Sequence, residues 1–193
     1  SPPRVKYQRP DTTINARKSA SALRTSMRAL YRVRAMSPRA DVSMSPEEMI
    51  AFLDRPHSAA LSTIGPDGFP HIAGMWFAHV AGSRPELHMW AYAKSQKVRN
   101  LERDPRCAFM AEEGAGYANL RGVLVRGAAR LVEEVDDVYE IGVRLYERYT
   151  LPATGIDVND GPEIEIRRQA SKRKGIVLGL ERVASWDHSK LMR

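Results

Sequence analysis

Short apolar runs separated by turn-forming residues fill most of the chain after residue 57, and they restrict the fold more than any other feature. Gly65-Pro-Asp-Gly68 is a turn between two such runs, and Gly82-Ser-Arg-Pro85 is another. This spacing is typical of antiparallel strands that follow one another in hairpins. The predicted strands cover residues 58–64, 69–80, 86–92, 106–112, 119–132 and 176–186.

Helices are predicted at the margins of these strands. Ser45-Pro-Glu-Glu48 combines a serine N-cap, a proline in the first turn and a glutamate three residues after the cap. A short helix that ends at Asp104-Pro105 is predicted after the third strand. Two further helices are predicted over residues 136–149 and 162–173. The sequence therefore predicts a mainly β fold (β plus α), a six-stranded antiparallel barrel with flanking helices.

Positive charge is concentrated in the first part of the chain. The 193 residues carry a formal net charge of +7, of which residues 1–43 contribute +8 and residues 44–193 contribute −1. We therefore divide the chain into a basic extension, 1–43, and one domain, 44–193. Within the extension, residues 17–34 have the spacing of a basic amphipathic helix. Docking on its own domain is favoured over a partner protomer, an anionic ligand or a membrane surface.

Several classes of protein do not fit the sequence. No apolar run approaches the roughly 20 residues that span a bilayer, and the N-terminus has no signal-peptide pattern. The single cysteine, Cys107, allows no internal disulfide, so a cytoplasmic protein is expected. The histidines have no metal-ligand spacing, so no metal is expected, and no nucleophile elbow or Walker loop is present. Nucleic-acid binding is not expected because the domain itself is nearly neutral.

The turn after the third predicted strand is rich in groups that bind anions. Lys94, Ser95, Lys97 and Arg99 crowd this turn and the first residues of the helix that follows. A helix N-terminus presents unpaired backbone N–H groups and a positive dipole, which suit a phosphate or phosphodiester. The alternative is a solvated helix face on which Ser95 acts only as an N-cap.

Aromatic and methionine side chains lie on the two predicted strands that flank this turn. Such residues are ordinarily core, but on alternating strands they can also line a planar ring, with backbone amides supplying hydrogen bonds. The residues concerned are Met75, Trp76, Phe77, Met89, Trp90 and Tyr92.

An ordered set of motifs resembles one known family. The chain is similar to the pyridoxamine 5'-phosphate oxidase-like split β-barrels, of the FMN-binding split-barrel type. Within these it most resembles the flavin/deazaflavin oxidoreductases that use coenzyme F420. The resemblance covers roughly residues 44–190. The motifs are Gly-Pro-Asp-Gly-Phe-Pro-His at 65–71, Met-Trp-Phe at 75–77, Ala-Lys-Ser-Gln-Lys-Val-Arg-Asn-Leu at 93–101, Asp-Pro-Arg at 104–106, Arg-Gly-Ala-Ala-Arg at 126–130 and Val-Ala-Ser-Trp-Asp-His at 183–188.

The resemblance implies a homodimer with a cofactor in a groove between the barrel and the partner protomer. It implies that Ser95 and Lys97 hold the cofactor phosphate, assisted by Lys94 and Arg99. It also places Trp186 near the ring or the dimer interface, and lets Tyr117 and Asn119 close the pocket from the other protomer. The residues expected to line the ring and its ribityl chain are Met75, Trp76, Phe77, Met89, Trp90 and Ala91.

The activity implied is hydride transfer between the deazaflavin and a conjugated or quinone-like small molecule. In such enzymes the cofactor performs the difficult step, so the sequence need show no catalytic constellation, and the catalytic residues stay unknown. The basic segment 17–34 would suit the anionic tail of coenzyme F420. The alternatives are an FMN-dependent oxidoreductase, a carrier of a flavin, deazaflavin or haem derivative, and a barrel anchored to an acidic membrane or nucleic acid. A pyridoxamine phosphate oxidase proper is disfavoured, because its substrate-phosphate arginines are not apparent.

Overall fold

The computed structural model describes residues 42–192. The amphipathic helix predicted at residues 17–34, and with it most of the basic extension, lies outside these described residues. Within the described part of the chain, five α-helices accompany nine strands. The helices are α1 (Pro46–Leu53), α2 (Gln96–Arg103), α3 (Val135–Tyr149), α4 (Leu151–Thr154) and α5 (Pro162–Ala170).

The strands form two antiparallel sheets. The five-stranded sheet has the order β2-β1-β5-β6-β9, and the four-stranded sheet has the order β3-β4-β8-β7. This arrangement confirms the predicted antiparallel split barrel with helices at its margins. The strands are β1 (Ala59–Ile64), β2 (Pro70–Met75), β3 (Ala78–Val80), β4 (Glu86–Tyr92), β5 (Arg106–Glu113), β6 (Arg121–Ala128), β7 (Arg130–Val132), β8 (Arg173–Gly179) and β9 (Arg182–Asp187).

The predicted number of strands, six, is too low because three of the predicted strands are each two strands. The run 69–80 contains β2 and β3, the run 119–132 contains β6 and β7, and the run 176–186 overlaps β8 and β9. In every case the two halves belong to different sheets. Two sheets that enclose one core are joined at corners where a strand bends from one sheet into the other. The apolar pattern continues through such a corner, so the sequence does not mark it.

Helix α1 begins as predicted. The Ser45 hydroxyl accepts from the Glu48 amide at 3.2 Å, and the Glu48 carboxylate accepts from the Ser45 amide at 2.7 Å. This capping box satisfies two of the amides that a helix N-terminus leaves unpaired.

Two hydrophobic clusters hold the elements together. The larger one lies between the sheets and contains Leu61, Leu87, Phe109 and Val123, each fully buried. The smaller one packs α3 and α5 on the other face of the four-stranded sheet. Helix α3 thus lies behind β4 and packs against Trp90 of that strand. Among residues 42–192, none of the helices has both the length and the apolar character of a membrane-spanning segment.

Stability should fall as the solution becomes acidic, because a buried histidine must take up a proton. His57 stacks on Phe52 at 4.2 Å, and its Nε2 lies 2.8 Å from the Phe52 carbonyl oxygen. Burial lowers the pKa of His57 and outweighs the opposing effects of the Phe52 carbonyl and of Glu113, 3.6 Å away. The unfolded chain, with a histidine pKa of about 6.5, therefore binds more protons near that pH.

The stabilisation from neutral His57 is complete above about pH 6.5 and is lost as the pH falls below it. Urea unfolding at about pH 7.5 and about pH 5.5 should show a lower free energy of unfolding at the acidic pH. The variant His57→Gln should reduce this difference. An equal or larger free energy of unfolding at the acidic pH would contradict the prediction.

Candidate functional site

A cleft of about 470 Å³ opens where the two sheets separate. One wall is the end of β2, the edge strand of the five-stranded sheet, and the other is the end of β4. The chain crosses between these walls at Trp76 and Phe77, directly after β2. The residues that line the cleft are Ser58, Ala59, Gly74, Met75, Trp76, Trp90, Ala91, Tyr92, Ser95, Lys97 and Arg173.

One end of the cleft is the N-terminus of α2. Ser95 occupies the N-cap position with extended backbone angles, yet its side chain makes no capping hydrogen bond. The Ser95 Oγ is buried and has no hydrogen-bond partner. Lys97 also lines the cleft, and it forms no ion pair within residues 42–192. A buried hydroxyl without a partner is costly, so this end of the cleft suits an anionic oxygen that accepts from both groups.

Aromatic rings form the two side walls. Trp76 remains 53% exposed although it stacks flat on Tyr149 of α3, with ring centroids 4.8 Å apart and an angle of 6° between the planes. Trp90 faces the cleft from β4, while Gly74 carries no side chain and would leave open space around a Cβ atom. The exposed ring of Trp76 and the open space at Gly74 leave room for a planar ring.

Arg173 was missed by the sequence reasoning. It is the first residue of β8 and pairs with Tyr92 across the strands. Its guanidinium carbon lies 4.1 Å from the centroid of the Tyr92 ring and 4.6 Å from that of Trp90. In the sequence it belongs to the basic run 172–174, which carries no signal that one member faces a cleft.

The cleft brings together about half of the residues predicted from the sequence. Lys94 and Arg99 are exposed and do not line it. The side chains of Phe77 and Met89 are fully buried in the larger core cluster, so they do not line it either. The residues it does bring together are Met75, Trp76, Trp90, Ala91, Ser95 and Lys97.

Trp186 lies on the five-stranded sheet, away from the cleft lining. It pairs with Gly122, where a Cβ atom would come within 2.3 Å of the tryptophan ring. Its indole Nε1 donates to Glu112 at 3.2 Å. Tyr117 and Asn119 lie in a short 3-10 helix and are also outside the lining. A role of these three residues at the cleft requires a second protomer.

No group of three or more His, Cys, Asp or Glu side chains in the described residues is arranged to hold a metal ion. Burial raises the pKa of the Cys107 thiol to about 11. The thiol is therefore protonated at neutral pH and is a poor nucleophile.

The packing of Trp90 on α3 gives a testable prediction. A Cβ atom at Gly142 would lie 2.5 Å from Trp90 Cζ3 and 2.8 Å from Ile166 Cγ2. The variant Gly142→Ala should displace the Trp90 ring and lower the free energy of unfolding by about 1–3 kcal/mol. Tryptophan fluorescence and urea unfolding measure the two effects. Gly82→Ala, where a Cβ atom meets nothing within 4 Å, is the control. Unchanged fluorescence and stability in Gly142→Ala would contradict the packing.

Comparison with known proteins agrees with the fold. The family model for pyridoxamine 5'-phosphate oxidase matches residues 45–187. A conserved hypothetical protein of Mycobacterium tuberculosis is 39% identical, with a TM-score of 0.71 over 82% of this chain and 94% of that chain. No match was found among curated proteins.

Two other solved structures carry names that mention a cofactor. One, called an F420 reductase, is 27% identical, with a TM-score of 0.52 over 69% of this chain and 93% of that chain. The other is an FAD-binding protein of Mesorhizobium loti, 14% identical, with a TM-score of 0.52 over 74% of this chain and 94% of that chain. The latter shows a shared fold alone.

Proposed function

Because this chain belongs to the pyridoxamine 5'-phosphate oxidase family, we propose that it binds a flavin-type cofactor in the cleft and acts as an oxidoreductase. The cofactor proposed is coenzyme F420, with FMN as the alternative. The observation that carries the proposal is the buried Ser95 Oγ without a partner, beside Lys97 and the N-terminus of α2. These groups fit the phosphate that both cofactors carry.

The chain's own residues would bind and orient the cofactor. Ser95 and Lys97 would hold the phosphate, while the ring would lie against the exposed Trp76 between the ends of β2 and β4. Met75 and Ala91, both buried, would keep water from the inner end of the slot. When bound, the deazaflavin supplies hydride transfer to or from a conjugated or quinone-like small molecule.

The choice of coenzyme F420 over FMN is supported by two observations. A protein named as an F420 reductase shares 27% of its residues with this chain. The cleft also contains a second cation, Arg173, besides Lys97, and no carboxylate among its described lining residues. Coenzyme F420 carries acidic groups beyond its phosphate, whereas FMN does not.

A homodimer is part of the proposal, with the outer face of the five-stranded sheet as the contact surface. The registers place five apolar or small residues in one row across all five strands. Met110 in this row is 40% exposed, and Ile72 on the neighbouring row is 68% exposed. A second copy of the chain would cover these side chains and would bring Trp186 into the interface. The row consists of Gly74, Ala60, Met110, Leu124 and Ala184.

The proposal is tested by steady-state oxidation of reduced coenzyme F420. The full chain is mixed with the reduced cofactor and a panel of quinone, enone, tetrapyrrole and nitro acceptors, and the absorbance of the oxidised deazaflavin is followed. Turnover with at least one acceptor class is the expected result. Tight binding without turnover would instead favour a non-catalytic carrier, and turnover with FMN alone would favour the alternative cofactor.

A further inference from the structure

Building on the proposed function, we infer that Arg173 is a second anion-binding group of the cleft. It would bind a carboxylate or phosphate oxygen other than the phosphate that Ser95 and Lys97 hold. The occupied cleft would then contain two separate anionic groups. The sequence motifs do not include Arg173, and it lies on β8, on the far side of β4 from β3.

The guanidinium of Arg173 is held in place by its neighbours. It lies over the rings of Tyr92 and Trp90, with distances of 4.1 and 4.6 Å to their centroids. Its Nη2 donates to Gln169 Oε1 at 3.0 Å. Stacking on two aromatic faces fixes the plane of a guanidinium.

The charge of Arg173 has no acidic partner in the described part of the chain. Its Nε is buried and makes no hydrogen bond. Two basic neighbours on the same elements are paired: Arg168 binds Glu165 at 2.7 Å, and Lys174 binds Glu102 and Glu133 at 2.8 and 2.6 Å. Buried N–H donors are nearly always satisfied in folded proteins, so an unpaired one that borders a cleft points to a ligand.

The phosphate end of the cleft does not require Arg173. Ser95, Lys97 and the backbone amides at the start of α2 already supply a hydroxyl, a cation and a helix dipole. Arg173 instead pairs with Tyr92, before the turn that leads to Ser95. A guanidinium suits a planar carboxylate, which it can bind through two parallel hydrogen bonds. The second anionic group is therefore either an acidic group on the cofactor's tail or a substituent of the substrate.

Equilibrium binding to variants of Arg173 distinguishes these sources. The ligands are FMN, coenzyme F420 with its glutamate tail, and the same cofactor without glutamates, with binding followed by quenching of tryptophan fluorescence. Arg173→Gln removes the charge, and Arg173→Lys keeps the charge but not the planar stack. Arg168→Gln, which removes an exposed arginine outside the cleft, is the matched control. Circular dichroism confirms that each variant folds.

If Arg173 binds the glutamate tail, Arg173→Gln should lower the affinity for full-length coenzyme F420 about tenfold. The affinities for FMN and for the glutamate-free cofactor should not change. Arg173→Lys should give a smaller loss with the same pattern. If Arg173 instead binds the substrate, Arg173→Gln should leave the affinities for all three cofactors unchanged. The KM for a carboxylated naphthoquinone then rises about tenfold, while that for its neutral analogue does not.

Two results would overturn the inference. An equal loss for FMN would show that Arg173 binds the first phosphate, and no effect on any cofactor or acceptor would show that it binds no anion. Failure of the proposed function has a different signature, because the unmodified chain would then bind neither coenzyme F420 nor FMN. That outcome would overturn both proposals together.

Discussion

Lys97→Ala should weaken binding of either phosphate-bearing cofactor by about 1.5–3 kcal/mol, or roughly 10- to 150-fold. Lys97 lines the phosphate end of the cleft and forms no ion pair within the described residues, so its charge is free for a ligand. A charge-assisted hydrogen bond to phosphate is stronger than a neutral one. Titration of the variant with FMN and coenzyme F420, compared with the unmodified chain, measures the loss.

Two controls make this test specific. Lys172→Ala removes the same charge from an exposed position outside the cleft lining and should change affinity less than threefold. Riboflavin lacks the phosphate, so its affinity should not depend on Lys97. If Lys97→Ala and Lys172→Ala weaken FMN equally, the effect is one of overall charge and the assignment of Lys97 is wrong.

Phe77→Ala should lower the free energy of unfolding by about 3–5 kcal/mol. Phe77 is fully buried, meets Phe109 edge-to-face at 4.9 Å, and lies 4.6 Å below the Arg148 guanidinium. Truncation removes these contacts and leaves a cavity at the corner between β2 and β3, where the surrounding backbone is held by both sheets. Urea or guanidinium unfolding measures the change.

The adjacent residue provides the contrast. Trp76 is 53% exposed and faces the cleft, so Trp76→Ala should cost much less stability than Phe77→Ala but should weaken cofactor binding. Phe77→Leu, which keeps most of the buried volume, should bind the cofactor normally. A large loss of stability in Trp76→Ala, with little loss in Phe77→Ala, would reverse the orientation of the two side chains and contradict the structure.

The fold was predictable where local chemistry decides the outcome. The capping box at Ser45 and the turns at 65–68 and 82–85 depend on a few neighbouring residues, and the structure confirms α1 and the strand boundaries at these turns. The corners of the barrel were not predictable. At Trp76 and Phe77 the chain leaves one sheet and enters the other while its apolar character continues, since Met75 and Phe77 belong to the larger core cluster and Ala78 to the smaller one.

The site was predictable only in part for a related reason. Ser95 and Lys97 lie at a helix start that the sequence marks, and the cleft includes both. The family resemblance implies Met89 as well as Trp90, yet adjacent strand residues face opposite sides, and the Met89 side chain lies in the core between the sheets. Arg173 reaches the cleft only through the pairing of β4 with β8, which no local pattern encodes.

Whether the cleft binds a cofactor phosphate is decided by titrating the full chain with coenzyme F420, FMN and riboflavin and following tryptophan fluorescence. At least one phosphate-bearing cofactor should bind saturably, and FMN should bind at least tenfold more tightly than riboflavin if FMN is the ligand. Binding should place the ring near Trp76 and Trp90, so quenching should accompany saturation. If neither coenzyme F420 nor FMN binds, or if riboflavin binds as tightly as FMN, the cleft is not a cofactor-phosphate site and the account is wrong.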